Sequence, residues 1–200
     1  MNRRRFLTSL AASAAVGCAG GEGDCPETAE QIEGPFYLDA QATRIDITEG
    51  KAGIALTLLF TVVDTDCNPI PDAEVDVWQA DADGVYSGYA EMDTEGETFL
   101  RGVQLTTEGG ECQIETIFPG FYTGRTSHIH VRVSAVGFED LVTQLYFSKV
   151  VITTVAPEYP AINEYTTNIE DAFYDADNEM AIEGDPAAGY EAVYVLTLMG

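Results

Sequence analysis

The sequence predicts an all-β fold, an antiparallel β-sandwich with long loops, and three observations favour it. Short segments of apolar or alternating side chains recur along the chain, and Gly, Pro, Asp and Asn separate them. Stretches with the period of a helix are scarce, and only residues 164–174 are expected to hold a helical turn or two. The 200 residues, 46% of them hydrophobic, are enough for one domain with a real core.

The individual strands follow from the pattern of side chains in each segment. Residues 53–63 are rich in large apolar and β-branched side chains, and the turn residues of 64–72 end this strand. Residues 73–79 alternate between apolar and acidic side chains, as expected for a strand with one buried face. By the same criteria, further strands are predicted at 99–106, 112–118, 127–136, 141–147 and 191–199.

The charge of the chain restricts its partners. It contains 34 Asp and Glu against 9 Lys and Arg, a formal net charge of −25. No nucleic-acid partner is expected, because phosphate binding needs clustered Lys and Arg. A calcium loop is not expected either, since residues 79–90, aligned with an EF-hand, lack the Glu at its last position. The acidic residues are instead typical of a solvated, salt-adapted surface.

The first residues resemble an export signal rather than part of the fold. Residues 3–7, Arg-Arg-Arg-Phe-Leu, match the twin-arginine pattern, and a short apolar stretch of small residues follows. We therefore expect an export signal at 1–18, a flexible tether at 19–25 and a β-sandwich domain at 26–200. The simpler interpretation of this N-terminus is a basic tail on a cytosolic protein.

The four cysteines bear on where the protein acts. Residues 15–18, Ala-Val-Gly-Cys, resemble a lipoprotein processing site, so Cys18 is a candidate for lipidation and for a lipid anchor to the membrane. The alternative is plain cleavage and a soluble product. Either product is expected in the periplasm or at the cell surface. In that oxidising compartment one disulfide is expected among Cys25, Cys67 and Cys112, and the sequence leaves its three pairings open.

The two histidines carry the strongest chemical signal. His128 and His130 lie two residues apart in the predicted strand 127–136, so both imidazoles project from one face. Ile129 and Val131 can then fill the core from the other face. Two imidazoles within range of one ion suit Fe, Zn, Cu or Ni. The simpler interpretation, a pair of surface histidines, is weakened because the chain has no other histidine.

Two of the ten tyrosines stand in unusual positions. Tyr86 follows the turn after the strand that contains Trp78, and Tyr122 follows a Pro-Gly turn shortly before His128. Each by itself is more typical of an ordinary loop tyrosine. A phenol with a pKa near ~10 ionises at neutral pH only beside a strong Lewis acid, for which Fe(III) is the obvious candidate.

Seven segments in order resemble one family, the intradiol ring-cleavage dioxygenases of the protocatechuate 3,4-dioxygenase type. Each segment alone is a weak signal, but seven in order are highly specific, and the resemblance covers roughly residues 26–200. The segments are EGPFY at 33–37, VWQAD at 77–81, GVYS at 84–87, FLRG at 99–102, TIFPGFY at 116–122, GRTSHIH at 124–130 and TQLYF at 143–147.

The resemblance implies a transthyretin-like β-sandwich that binds one non-haem Fe(III) per chain. The ligands that it implies are Tyr86, Tyr122, His128 and His130. It also implies an oxidoreductase that cleaves a catechol-type aromatic ring with O2 to a cis,cis-muconate. In this family pattern the catechol displaces Tyr122, whose oxyanion takes a proton from the substrate, so Tyr122 is both ligand and catalytic base.

The resemblance assigns three further residues to the site. Arg125 and Gln144 match a polar pair beside the substrate, where Arg125 stabilises carbanion-like charge on the ring. Trp78 matches a residue that lines the substrate pocket. Without the resemblance, the simpler interpretations are a surface salt bridge for Arg125 and core packing for Gln144 and Trp78.

The substrate and the oligomeric state stay open. Phe121 stands where the family often has Trp, and the segment 122–128 is short compared with the protocatechuate enzymes, so the pocket mouth is expected to differ. Because so acidic a chain repels carboxylates, a neutral or polymer-linked catechol is the expected substrate. The sequence gives no signal for or against a homo-oligomer. Two other classes remain as alternatives, an exported non-catalytic binding module that lacks iron and a metalloenzyme with Fe(II) or copper.

Overall fold

The computed structural model describes residues 24–39, 42–122, 124–159 and 165–200. The predicted export signal at 1–18, the candidate lipidation site Cys18 and most of the tether at 19–25 lie outside the described residues. Over the part of the chain that is described, no helix is long and apolar enough to cross a membrane.

Strands are the main regular elements of the described residues, and every predicted strand is present within two residues of its predicted ends. The elements in chain order are β1 (Ala55–Asp64), β2 (Glu74–Trp78), β3 (Arg101–Leu105), β4 (Glu111–Ile117), β5 (His128–Ser134), β6 (Leu141–Tyr146), α1 (Lys149–Val155), β7 (Ala181–Asp185) and β8 (Gly189–Leu198). Short 3₁₀ turns lie at Ala90–Met92, Ala156–Glu158, Asn168–Glu170 and Ala176–Asn178.

The strands form two four-stranded sheets with the orders β4-β1-β8-β7 and β3-β2-β5-β6. Side chains from both sheets, such as Leu58 of β1 and Val131 of β5, are fully buried in one apolar core. The predicted antiparallel sandwich is confirmed, with one parallel pair between β1 and β8. A parallel pair needs a long crossover connection between its two strands. The side-chain pattern within a strand does not indicate which strands will be its neighbours in the sheet.

Two elements were not predicted. The helix α1, KVVITTV, consists largely of β-branched residues, which favour strands, yet Ser148 caps its first turn by accepting a hydrogen bond from the Val151 N–H. The edge strand β7 shows no alternation of buried and exposed side chains, because both of its faces are largely exposed. The helical turn expected within 164–174 is the 3₁₀ turn Asn168–Glu170.

One disulfide joins Cys25 to Cys67, with their Cα atoms 5.2 Å apart. Cys112 is free and half-buried, and burial raises the pKa of its thiol to about 12. The disulfide therefore ties the start of the domain to the turn that follows β1, and it settles which of the three pairings forms.

The disulfide is expected to contribute strongly to stability. It closes a loop with a sequence separation of 42 residues, and the loss of chain entropy for a loop of that length corresponds to about 4 kcal/mol. The double variant Cys25→Ser/Cys67→Ser should therefore unfold in urea with a free energy lower by about that amount. Cys112→Ser is the matched control. A loss below about 1 kcal/mol in the double variant would contradict the expectation.

Candidate metal centre

The two histidines lie on the outer face of the β3-β2-β5-β6 sheet. Ile129 between them is fully buried in the core, so the alternation of β5 turns His128 and His130 to the opposite side, as predicted. Loops cover that side, and both imidazoles are almost completely buried. Their Nε2 atoms are 3.1 Å apart, which places two nitrogen donors at one point.

The protonation state of His128 suits a ligand. Its Nδ1–H donates a hydrogen bond of 2.7 Å to the Thr126 carbonyl, so its Nε2 keeps a lone pair directed into the site. Burial, followed by the charge of Arg125, lowers the pKa of His128 to about 4. Burial and then the neighbouring His128 lower the pKa of His130 well below its usual range. Both imidazoles are therefore neutral near pH 7.

Tyr86 completes a set of three donor atoms. Its hydroxyl lies 3.4 Å from His128 Nε2, and its ring stacks on Phe36 with centroids 4.4 Å apart. Burial raises the pKa of Tyr86, and the charges of Arg125 and Arg101 oppose that rise. A nearby cation is needed for the phenolate form to exist at neutral pH.

Tyr122 lies in the same aromatic cluster and is only half-buried. Its ring is 6.0 Å from that of Tyr86 and 5.2 Å from that of Phe36, edge-on in both cases. The structure thus brings Tyr86, His128 and His130 within hydrogen-bond range and places Tyr122 at the more open side of the group.

The donor set fits a metal ion that accepts both imidazole and phenolate. Two nitrogen atoms and one oxygen converge in a buried space, and the buried His130 Nδ1 has no hydrogen-bond partner among the described residues. In that part of the chain no group of three or more His, Cys, Asp and Glu side chains comes together. A metal ion bound here therefore depends on tyrosine oxygens to complete its ligands, and anionic oxygen donors suit Fe(III).

Close backbone contact brings the two tyrosine loops together. A side chain on Gly120 would place its Cβ 2.4 Å from the Ala82 carbonyl oxygen, and one on Gly84 would meet the Phe121 carbonyl at 2.4 Å. Gly84 also has a φ of +80°, which favours glycine. The Gly120 N–H donates to the Asp81 carbonyl across the same contact. These glycines allow the turn before Tyr86 to lie directly on the segment before Tyr122.

Arg125 and Gln144 are hydrogen-bonded to each other, and their place beside the substrate stays a prediction. Arg125 Nη2 donates to Gln144 Oε1 at 2.5 Å. Gln144 lies beside His130 across the β5–β6 pair, and its Nε2 donates to the Ile32 carbonyl. On its other side Arg125 forms an ion pair with Asp171, a buried residue that sequence reasoning missed.

Trp78 lies opposite His130 in the pairing of β2 with β5 and stacks on its imidazole, with centroids 5.0 Å apart. The indole is buried, and its Nε1 has no hydrogen-bond partner among the described residues. Trp78 therefore packs against the face of the His130 imidazole. Its role in lining the substrate pocket stays a prediction.

Residues 28–38, here called the N-terminal strap, cover the site. Gly34 lies so close to His130 that a Cβ added to it would be 3.1 Å from the imidazole Cε1. Further along the strap, the Phe36 carbonyl accepts from Arg101 Nη1, and Gln31 Oε1 accepts from the Tyr146 hydroxyl. In the sequence, only the motif at 33–37 connected the N-terminal strap with the site.

A polar cavity of about 180 Å³ lies further along the same outer face. Its lining residues are Tyr37, Asp39, Glu74, Asp76, Arg132 and Ser134. Burial raises the pKa of Asp76 to about 6, with smaller increases from Glu74 and Asp39, while a hydrogen bond from Tyr37 and the charge of Arg101 oppose the rise.

Asp76 is expected to make stability depend on pH. Because its folded pKa is above its usual value of 3.8, its favourable contribution is present at low pH and is lost as the pH rises through about 6. Asp76→Asn should therefore raise the free energy of unfolding by about 1–3 kcal/mol at pH 8 and change it little at pH 4.

In the control variant, Asp140→Asn, the expected change in stability has the opposite sign. Asp140→Asn should lower stability slightly at pH 8, because Arg132 lowers the pKa of Asp140. Chemical denaturation of both variants at the two pH values tests the expectation, and an equal effect of Asp76→Asn at pH 4 and pH 8 would contradict it.

Comparison with known proteins identifies the class of this chain. A sequence profile of the Dioxygenase family matches residues 32–158, and the chain belongs to the intradiol dioxygenase family. An intradiol ring-cleavage dioxygenase from Tetranychus urticae is similar in structure, with a TM-score of 0.81 and 31% identity over 87% of this chain and 95% of that chain.

Two further relatives have related chemistry in their names. The dioxygenase domain of a dioxygenase carbohydrate-binding protein fusion from Streptomyces sp. SirexAA-E has a TM-score of 0.69 and 31% identity, covering 86% of this chain and 98% of that domain. Hydroxyquinol 1,2-dioxygenase from Nocardioides simplex is 34% identical over 146 residues, 62% of this chain and 48% of that protein. The chain spans about half the length of the curated relatives it matches.

Proposed function

We propose that this chain is an intradiol dioxygenase that binds one non-haem Fe(III) and cleaves a catechol-type ring with O2 to a cis,cis-muconate-type product. The observation that carries the proposal is the convergence of His128 Nε2, His130 Nε2 and the Tyr86 hydroxyl in a buried space beside Arg125. Tyr122, in the same cluster, is the proposed fourth ligand.

Bound Fe(III) would supply a Lewis acid that favours the ionised forms of phenols and catechols and makes the bound ring reactive towards O2. The neutral imidazoles of His128 and His130 hold the ion, and the hydrogen bond from His128 to the Thr126 carbonyl fixes the direction of its lone pair. Tyr122, the more exposed tyrosine, takes a proton at its Oη from a catechol hydroxyl as the substrate enters.

Arg125 and Gln144 are proposed to act on the substrate ring. The guanidinium is held by Gln144 on one side and Asp171 on the other, so its charge is fixed in place before the substrate binds. A preorganised cation stabilises negative charge that develops on the ring, and it needs no rearrangement at that moment. The buried surroundings exclude water and strengthen this interaction.

The substrate is proposed to be an uncharged or polymer-linked catechol. Two of the positive side chains on this face already have acidic partners, since Arg125 pairs with Asp171 and Arg132 with Asp140. A chain with a net charge of −25 also repels anionic catechols. Among the relatives, one is named for hydroxyquinol and another is fused to a carbohydrate-binding protein. Higher kcat/KM for protocatechuate than for catechol and hydroxyquinol would overturn this choice of substrate.

Visible spectroscopy with metal analysis tests the reaction class. Protein produced with iron should be red-brown from tyrosinate-to-iron charge transfer, contain one iron per chain and consume O2 with catechol. A colourless, iron-free protein would indicate the non-catalytic binding module. Iron or copper without that absorption band would indicate a different metalloenzyme.

We also propose that the protein is exported by the twin-arginine route to the periplasm or cell surface. The disulfide between Cys25 and Cys67 supports this proposal, because such bonds persist in oxidising compartments. Replacing Arg3 and Arg4 by lysine should retain the protein in the cytoplasm, whereas unchanged export would refute the route. Metabolic labelling with palmitate in Cys18→Ala and in the natural chain tests for the lipid anchor.

A further inference from the structure

Asp171 lies in a segment to which neither the sequence motifs nor the family profile extends. The profile match ends at residue 158, and Asp171 follows the 3₁₀ turn Asn168–Glu170. Its side chain is fully buried and accepts hydrogen bonds from Arg125 Nε at 2.9 and 3.0 Å. The same carboxylate accepts from the Thr126 N–H and from the Phe173 N–H, each at 2.9 Å.

The contacts of Asp171 lead to the proposed active site in two directions. Through Arg125 it reaches Gln144, which accepts from Arg125 Nη2. Through Thr126 it reaches His128, because the Thr126 carbonyl accepts from His128 Nδ1–H. A single carboxylate thus holds both the cation that faces the substrate and the residue that orients an iron ligand.

The segment around Asp171 is itself firmly held. The side chains of Thr167 and Glu170 form a capping box on the 3₁₀ turn. Asn168 donates to the Phe147 carbonyl and accepts from the Thr126 hydroxyl. Phe173 places its ring 4.8 Å from the Arg125 guanidinium carbon. This segment therefore contacts Arg125 and Thr126 from outside the sandwich. Among its described residues, Asp171 is the only one whose carboxylate accepts hydrogen bonds from both.

We propose that Asp171 is a positioning residue for the iron site. It fixes the guanidinium of Arg125 towards the substrate and fixes Thr126, whose carbonyl sets the tautomer and direction of His128. The effect on turnover rests on the proposed dioxygenase function. The effect on His128 does not, because the hydrogen bonds from Asp171 to Thr126 and from Thr126 to His128 exist without iron.

The test compares Asp171→Asn with Asp177→Asn, the same chemical change at an exposed position of the next 3₁₀ turn. In iron-loaded enzyme, Asp171→Asn should lower kcat for catechol by about 10–100-fold, the scale found when an outer partner of a metal ligand is removed, and change KM less. The charge-transfer band should shift in wavelength. Asp177→Asn should match the natural chain in kcat and spectrum.

A readout in iron-free protein keeps the proposal separate from the proposed function. The Nδ1–H of His128 should give a slowly exchanging proton signal in nitrogen-15 NMR, and Asp171→Asn should speed its exchange with water. If the natural protein binds no iron, the proposed function fails while this measurement still decides the role of Asp171.

Asp171→Glu covers the case in which Asp171→Asn does not fold. The longer side chain keeps the charge but displaces the carboxylate from the Thr126 N–H, so a lower kcat and faster exchange are again expected. Lower thermal stability with an unchanged band, an unchanged kcat/KM and an unchanged His128 signal would overturn the proposal, since a purely structural residue gives that result.

Discussion

Tyr86→Phe is expected to remove most of the red-brown absorption of the iron-loaded protein and to lower catechol turnover by at least about a hundredfold, as for loss of one preorganised group at a reacting centre. The substitution removes only the hydroxyl oxygen, which lies 3.4 Å from His128 Nε2. The ring remains, so its stacking on Phe36 is preserved. The visible spectrum, iron content and O2 consumption of the purified variant check the expectation.

The same variant should leave the iron-free fold intact. The Tyr86 hydroxyl is buried and its one contact to the described residues, at 3.4 Å, is a weak hydrogen bond. Removing it therefore relieves part of the cost of burying a polar group. Iron-free Tyr86→Phe should unfold at a temperature equal to or above that of the natural chain. Strong destabilisation would mean that Tyr86 has a packing role instead of a ligand role.

Tyr194→Phe is the matched control. Tyr194 lies on β8, in the sheet that does not hold the histidines, and donates to the Asp177 carbonyl and to Asn178 Oδ1. Its loss of one hydroxyl should change neither colour nor turnover. If Tyr86→Phe retains full colour and rate, Tyr86 is not a ligand and the proposed set of four is wrong.

The strands and the histidine pair were predictable because their signals are local. Alternation over a few residues fixes which face each side chain of β5 takes, and it placed Ile129 in the core and His128 and His130 together outside. The order of the strands is not local, so the parallel pair of β1 and β8 had no signal in either strand.

The tyrosines illustrate how far the residues alone lead. Nothing near Tyr86 or Tyr122 indicates that they meet, because their proximity depends on Gly120 lying against the Ala82 carbonyl. Only the resemblance to a family joined them to the histidines. Asp171 had no signal of either kind, since it lies 46 residues from Arg125 and outside the motifs.

Arg125→Gln is expected to impair both stability and catalysis. The substitution leaves the carboxylate of Asp171, whose side chain is fully buried, without its cation. Removing one partner of a buried ion pair costs about 3–5 kcal/mol, so the free energy of unfolding should fall by that amount. Turnover should fall by about 10²–10³-fold, because the charge proposed to act on the ring is lost.

A second substitution separates the two effects. Arg125→Gln/Asp171→Asn removes the uncompensated carboxylate, so it should recover much of the lost stability while turnover stays low. Arg132→Gln breaks the exposed pair with Asp140 and should cost at most about 1 kcal/mol without affecting turnover. Urea unfolding and steady-state kinetics of the three variants give both quantities. If stability and turnover recover together in the double variant, Arg125 acts only by neutralising Asp171, and its proposed action on the substrate ring is wrong.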